Sequence, residues 1–458
     1  MCKIMFLKKF IDKIKSSTNY YYNYKFDVIG IGGHGFVIEP GINNNTYEQL
    51  YDCISKIIIL SKSEVDLFNE ICEEFRISNL LLKYDRDMIY FLGGFDICQL
   101  DKNILYKNIS VIEDIDLQEK VCMSKSIFEK DTIFINIIMK KGYDFYQVFS
   151  NLNSSIYICY ILYHLINGIR ICIKFTNYVM MDIKLGNLLF INHKENYICP
   201  VFIDFTRCHI LDKKRQLHSF IDDFSKEYPK YYPWSPELKI MLVREYYNRK
   251  KYRYKYFDDY ILNSLITERN YYNDLMKTND IDYQYIKYIN PYSYFYGSTN
   301  SNINILNYIL EQPKNKIIND MIYINIKKDL LASVSILEEN CYSSYIDPRI
   351  SEKMMIYQLG KVFHEILLFH FIKVFEKKQD NIILSDKLRI IENIHSLIML
   401  SLHPNIHKRP SCNYFLEKIN KLVNIENNGL IDIRTLPIKR QEKIQNIINN
   451  NKLRKNNL

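Results

Sequence analysis

Apolar residues fall in short, alternating runs over the first third of the chain and return at helical spacing over much of the remainder. From Phe26 to Leu60 the order is strand, glycine turn, strand, polar loop and strand, with β-branched residues at the strand positions. Helical periodicity then starts at Ser63-Glu64 and runs through Val65, Leu67, Phe68, Ile71 and Phe75, with Ser63 placed to cap it. Further strands are expected at 88–92 and 132–138. After Gly142 the pattern predicts helices over Tyr143 to Leu152 and over a long apolar stretch near 155–173. Two β-like runs follow, Asn187 to Ile191 and Val201 to Ile203. A β-rich start followed by a helical remainder predicts an α+β chain of two lobes.

Residues 238–350 lack a clear amphipathic rhythm. They include Arg249 to Tyr256, where lysines and arginines interleave with tyrosines. Such a run can track a single-stranded nucleic acid, but on this tyrosine-rich background a solvated helix or insertion is the favoured reading. The resulting division is an extension over 1–24, a β-rich lobe over 25–138, a helical lobe over 139–425 with 238–350 inserted, and a basic tail over 426–458.

Composition narrows the picture. With 48% apolar residues there is ample material for a core, and a charged fraction of 25% argues against wholesale disorder. The net charge of +9 suits a polyphosphate ligand at least as well as a nucleic acid. Eleven cysteines without a C-x-x-C pair suit reduced thiols in the cytosol, not a zinc ribbon. The first ten residues lack the apolar run of a secretory signal. The greasy stretch from Ile156 to Ile173 is broken by His164, Asn167 and Arg170, so a buried helix is expected in place of a membrane span. A soluble cytoplasmic protein is the expectation.

Candidate chemistry begins at Gly30-Ile31-Gly32-Gly33-His34-Gly35-Phe36-Val37, which matches G-x-G-x-x-G-x-V. Glycines so spaced let a backbone approach phosphate oxygens. A dinucleotide-binding turn shares that spacing but opens into a helix, whereas Phe36-Val37-Ile38 continues as strand. Lys56 lies within the otherwise apolar Ile54 to Ile59. It either faces outward or finds phosphates and a helix carboxylate as partners. Glu64 is the favoured carboxylate and Glu70 the alternative.

The segment Met180-Met181-Asp182-Ile183-Lys184-Leu185-Gly186-Asn187 resembles the catalytic loop of the eukaryotic-type protein kinase superfamily, H-R-D-L-K-x-x-N. Val201-Phe202-Ile203-Asp204-Phe205-Thr206, with its aspartate 22 positions after Asp182, resembles the strand and D-F-G that follow it. Trp234-Ser235-Pro236-Glu237 resembles A-P-E. Ile356 to Leu367 resembles the central helix of the large lobe, and Lys408-Arg409-Pro410-Ser411 the late R-P-S segment. The order of these motifs carries the resemblance, since an unrelated fold has no reason to repeat it.

The resemblance implies a bilobal kinase-like fold that transfers the γ-phosphoryl group of ATP, with Mg²⁺, to protein substrates. It implies Asp182 as the base, Lys184 beside the γ-phosphate, and Asn187 and Asp204 as metal ligands. It also implies Gly30, Gly32, Gly33, Gly35, Val37, Lys56, Glu64 and Met139 as the ATP-binding set, and an Arg409–Glu237 pair. Lys184, two residues after the aspartate, implies serine/threonine specificity.

The departures are equally plain. Met180 and Met181 replace His and Arg, so activity is expected not to need activation-loop phosphorylation, although Thr206, Ser219 and Ser225 are modifiable. Thr206 replaces the glycine that tolerates positive φ. Met355 stands where a helix aspartate would anchor the catalytic loop. Such losses, with an AT-rich codon imprint, resemble the divergent kinases of large cytoplasmic DNA viruses, which would place the protein in host cytoplasm or virion; an AT-rich protist is the other source that fits. The rival readings are a pseudokinase scaffold, a small-molecule kinase, which Lys184 disfavours, and a nucleic-acid-binding protein resting on 249–256.

Overall fold

The alternating stretches near the start of the chain pair into one antiparallel sheet, and most of the later helical periodicities form helices. The computed structural model describes residues 26–32, 35–46, 48–61, 64–100, 132–144, 148, 155–176, 178–194, 197–209, 233–249, 257–278, 290–297, 303–342, 347–376, 383–424 and 431–432. The chain is a mixed α/β protein with small antiparallel sheets and a helical majority. Its described residues gather into two compact units, one from 26–79 and 92–141, the other from 80–91 and 142–432.

In the first unit, β1 (Asp27–Gly32), β2 (Gly35–Glu39), the short pair β3 (Gly41–Ile42) and β4 (Gln49–Leu50), and β5 (Cys53–Ser61) precede helix α1 (Val65–Tyr84). Strands β6 (Asp96–Leu100) and β7 (Thr132–Lys140) complete the five-stranded order β1-β2-β5-β7-β6, antiparallel throughout. Period-two alternation sends Phe36 and Ile38 of β2 into a core with Ile42, Ile57, Leu100 and Phe134. Lys56 pairs with Val37 on one side and Ile137 on the other, so it lies on the sheet face opposite Ile57.

The second unit contains β8 (Tyr143–Asp144), α2 (Ser155–Thr176), β9 (Val179–Met180), β10 (Leu188–Lys194), β11 (Tyr197–Phe202) and β12 (Cys208–His209). Helices α3 (Pro236–Arg249), α4 (Phe257–Thr278), α5 (Pro291–Tyr296), α6 (Ile305–Leu310), α7 (Lys314–Ile317), α8 (Met321–Tyr342), α9 (Pro348–Glu376), α10 (Ile383–Ser401) and α11 (Cys412–Val423) follow, and β13 (Ile431–Asp432) comes last. Strands β13-β11-β10-β8 form one sheet, and β12-β9 a smaller ribbon. Helix α2 is long and apolar enough to cross a membrane, yet Ile158, Ile161, Leu165 and Ile169 are buried in this unit. Two of its polar interruptions have backbone partners: His164 bonds the Ile89 carbonyl at 2.6 Å, and Asn167 donates to the Tyr163 carbonyl at 3.1 Å, while Arg170 is exposed.

Several expectations need correction. Residues 88–92 form no strand. The Asp85 carboxylate accepts the backbone N–H groups of Ile89, Tyr90 and Phe91 at 2.7–2.9 Å, so those donors serve a side chain, and only Phe91 bridges to Phe202. Tyr143 and Asp144 pair with β10 and do not begin a helix. Helix α1 starts one residue after Glu64, whose carbonyl accepts the Phe68 N–H, while Ser63 lies outside the described residues. The segment 238–350, expected to lack an amphipathic rhythm, forms helices with a common core. Ile240, Ile261, Leu265, Leu306, Tyr323 and Leu330 join a core of its own helices. Arg249 ends α3, and the rest of the basic-aromatic run lies outside the described residues. Within the expected tail, Ile431 and Asp432 pair with Ile198 and Tyr197.

Candidate functional site

In the first unit the candidate residues gather on β1, β2, β5, β7 and α1. Lys56 reaches the Glu74 carboxylate at 3.1 and 3.3 Å. Glu74 therefore takes the place expected for Glu64 or Glu70, both of which are exposed. The reason is helical geometry: Ile71, Glu74, Ser78 and Leu81 fall at spacings of three and four, on the buried stripe of α1. A carboxylate on that stripe was the signal available in the sequence. The Lys56 side chain keeps 27% of its exposure, so its ammonium is not sealed away.

Hairpin β1–β2 narrows to the pair Gly32↔Gly35, and Gly33 lies outside the described residues. The glycines are not equivalent. A Cβ on Gly35 would lie 1.9 Å from the Ile57 carbonyl oxygen, so strand packing alone requires glycine there. A Cβ on Gly30 would meet only Val37, at 3.9 Å, which leaves its backbone approachable. Val37 lies across from Lys56, and Met139 is buried on β7 opposite Ile54.

In the second unit, Asp182, Lys184 and Asn187 occupy the short connection between β9 and β10, whose last turn is a 3₁₀ helix over Leu185–Asn187. Lys184 Nζ lies 3.0 Å from Asp182 Oδ2. Asp182 Oδ1 is buried and accepts no hydrogen bond among the described residues. Burial pushes the Asp182 carboxyl above its ordinary range, against the pull of the Lys184 and Arg207 cations, and Asp204 adds to the rise. Asn187 donates its amide N–H to the Asp182 carbonyl at 2.9 Å, and its own carbonyl accepts the Ile203 N–H at 3.0 Å. The residues flanking the two aspartates are thereby tied together.

Asp204, just past β11, has φ of 60°, a left-handed conformation that aspartate tolerates better than most residues. Positive φ thus falls on Asp204 and not on Thr206, so threonine in place of glycine brings no backbone strain. Thr206 instead donates its hydroxyl to Asp204 Oδ1 at 2.7 Å. Phe205 is buried beside Phe91, ring centroids 6.2 Å apart. Ser219 and Ser225 lie outside the described residues. The oxygens of Asn187 and Asp204 are hard donors of the kind that suit Mg²⁺, and Asp182 Oδ1 is a buried acceptor without a hydrogen-bond partner among the described residues.

The segment 180–183 is held although no carboxylate stands at position 355. The Met180 N–H points to Met355 Sδ at 3.2 Å. The Gln358 amide donates to the Met180 carbonyl at 3.0 Å and accepts the Ile183 N–H at 3.2 Å. Trp234 Nε1 donates to the Met181 carbonyl at 2.8 Å. Neither the Gln358 nor the Trp234 contact was apparent from motif matching, because both depend on residues brought together by the fold.

Arg409 meets Glu237 in a two-pronged pair at 2.7 and 2.8 Å, both side chains fully buried, and its Nε donates to the His403 carbonyl. Nearby in the same unit, Lys239 of α3 and Lys361 of α9 share Glu268 Oε1 of α4 at 2.9 and 3.1 Å, all three buried. Burial favours a neutral Glu268, but the two ammoniums outweigh it and hold the carboxyl below its ordinary range. Burial brings Lys361 down to about 7, against the opposing pull of Glu268. No protein-family model matches the chain, and no curated protein shows significant sequence similarity to it.

Proposed function

We propose that the chain is a divergent protein kinase that transfers the γ-phosphoryl group of ATP to serine or threonine hydroxyls. In this reading the two units correspond to the small and large lobes of a kinase-like fold. The observation that carries it is the second unit's arrangement: a buried aspartate bound to Lys184, with an unpartnered oxygen, tied through Asn187 to the residue before Asp204. Lys56 with Glu74 supports it from the first unit.

Asp182 Oδ1 accepts the proton of the attacking hydroxyl as that oxygen forms a bond to the γ-phosphorus. The bond from phosphorus to the β–γ bridging oxygen breaks, and ADP leaves with the electron pair. Lys184 offers its ammonium to the charge gathering on the γ-phosphate oxygens. Lys56, oriented by Glu74, holds α- and β-phosphate oxygens. Mg²⁺, when bound, neutralises phosphate charge, and Asn187 and Asp204 are the residues that would hold it.

The test is transfer of radiolabelled phosphate from ATP to a basic protein acceptor. Asp182→Asn is expected to lower the rate by about 10²–10⁴-fold, the usual contribution of a general base, while Mg²⁺-dependent ATP binding persists. ATP binding by the unaltered chain without transfer to any acceptor would instead support a binding scaffold.

A further inference from the structure

We infer that Gln358 is the positioning residue that holds Asp182 for proton transfer, with Met355 and Trp234 completing a clamp on the loop backbone. This rests on the phosphoryl-transfer reading for its consequence, but not for its geometry.

The connection carrying Asp182 is only partly regular, so few of its backbone groups find partners in strands or helices. The buried groups among them need other partners. Gln358 projects from the middle of α9 and is itself buried, so its amide has no access to bulk water. It donates to the Met180 carbonyl and accepts from the Ile183 N–H, bracketing the aspartate from both sides with one rigid planar group. A primary amide offers both a donor and an acceptor on one planar group at neutral pH. Met355, one helical turn earlier, lies under the Met180 N–H, and Trp234 takes the Met181 carbonyl. The Met181 N–H goes to the Arg207 carbonyl at 2.8 Å, which links the loop to the stretch that follows Asp204.

Methionines at 180, 181 and 355 are compatible with a positioned base for this reason. All three are buried, and their apolar side chains pack while the backbone is fixed by the glutamine and the indole. Asp182 is then free to keep Oδ1 for the proton it must accept. The arrangement assigns the positional work to an uncharged amide. No additional buried charge is placed next to a base whose carboxyl is already pushed upward by burial.

Two variants and two readouts test the inference. Gln358→Leu removes both hydrogen bonds. Transfer is expected to fall by about 100-fold, the scale of a misplaced catalytic group, with KM for ATP little changed. Gln358→Glu can rebuild both bonds only when protonated, so its rate relative to the unaltered chain should fall as pH rises. Leu306→Ala, in the helical core far along the chain, serves as the control: it should lower the melting temperature without this pH-dependent ratio. A flat ratio across pH for Gln358→Glu, or equal losses of rate in Leu306→Ala, would overturn the inference.

Amide hydrogen exchange read on peptides spanning 179–188 supplies an activity-independent arm. Gln358→Leu should accelerate exchange there while leaving α11 protected. Unchanged exchange would refute the clamp even in an active enzyme. Accelerated exchange in a chain that transfers no phosphate would uphold the clamp and refute the kinase reading.

Discussion

Lys56 with Glu74 in the first unit and Arg409 with Glu237 in the second are both cation–carboxylate pairs within folded structure, but solvent reaches only one of them. The Lys56–Glu74 side chains retain 27% and 10% of their exposure, whereas Arg409 and Glu237 retain none. The lysine is a point charge on a flexible stem, able to share its donors with an incoming phosphate. The guanidinium spends two donors on Glu237 and a third on the His403 carbonyl, and it lies over the Tyr357 ring at 4.5 Å. The difference separates a pair suited to a ligand from one that holds structure.

The comparison breaks most visibly at the sealed pair. Arg409→Ala leaves the Glu237 carboxylate buried without its counter-ion and should cost about 3–5 kcal/mol in denaturant unfolding. A loss near zero would mean that solvent enters the pair. Lys56→Met should reverse the pattern. Because the pair is partly exposed, stability should fall by less than about 1 kcal/mol. Under the proposed kinase reading, phosphoryl transfer should drop by about 100-fold, as expected when a phosphate-positioning group is lost. Equal unfolding midpoints with equal activities would remove Lys56 from the site.

The smallest expected effect sharpens the role of Lys184. As the proposed base, Asp182 would have to be ionised to accept a proton, and its carboxyl lies above the ordinary 3.8, so under that proposal the acidic limb of the rate profile should lie above that pH. Lys184 lowers the carboxyl's value, so Lys184→Met should move the limb to higher pH. A limb that stays in place would show that another group titrates.

Much of the candidate site was legible because the residues lie close together along the chain. Asp182, Lys184 and Asn187 span six positions and share one connection, and Gly30 to Val37 fall on one hairpin. Glu74 was not legible from spacing, because the buried stripe of α1 selects a carboxylate by helix face and not by distance along the chain. Gln358 was hidden by its distance from the loop along the chain. Strands were legible where alternation was strong, as in β2, but not in β6, an edge strand whose Asp96-Ile97-Cys98-Gln99-Leu100 mixes polar and apolar residues. The region 238–350 misled because tyrosines serve as core residues there: Tyr260, Tyr272, Tyr292 and Tyr323 are all buried. Their hydroxyls disguise an apolar face as a polar one.

The shared carboxylate of Glu268 has a consequence for attempts to trim this protein. Excising α4 would remove the carboxylate that two buried lysines share, one on the helix after the Trp234 turn and one on the helix that carries Gln358. A minimal version of the chain would have to replace both lysines as well as close the gap. The segment 238–350 thus supplies, from α4, the carboxylate that Lys361 on the later helix α9 depends on.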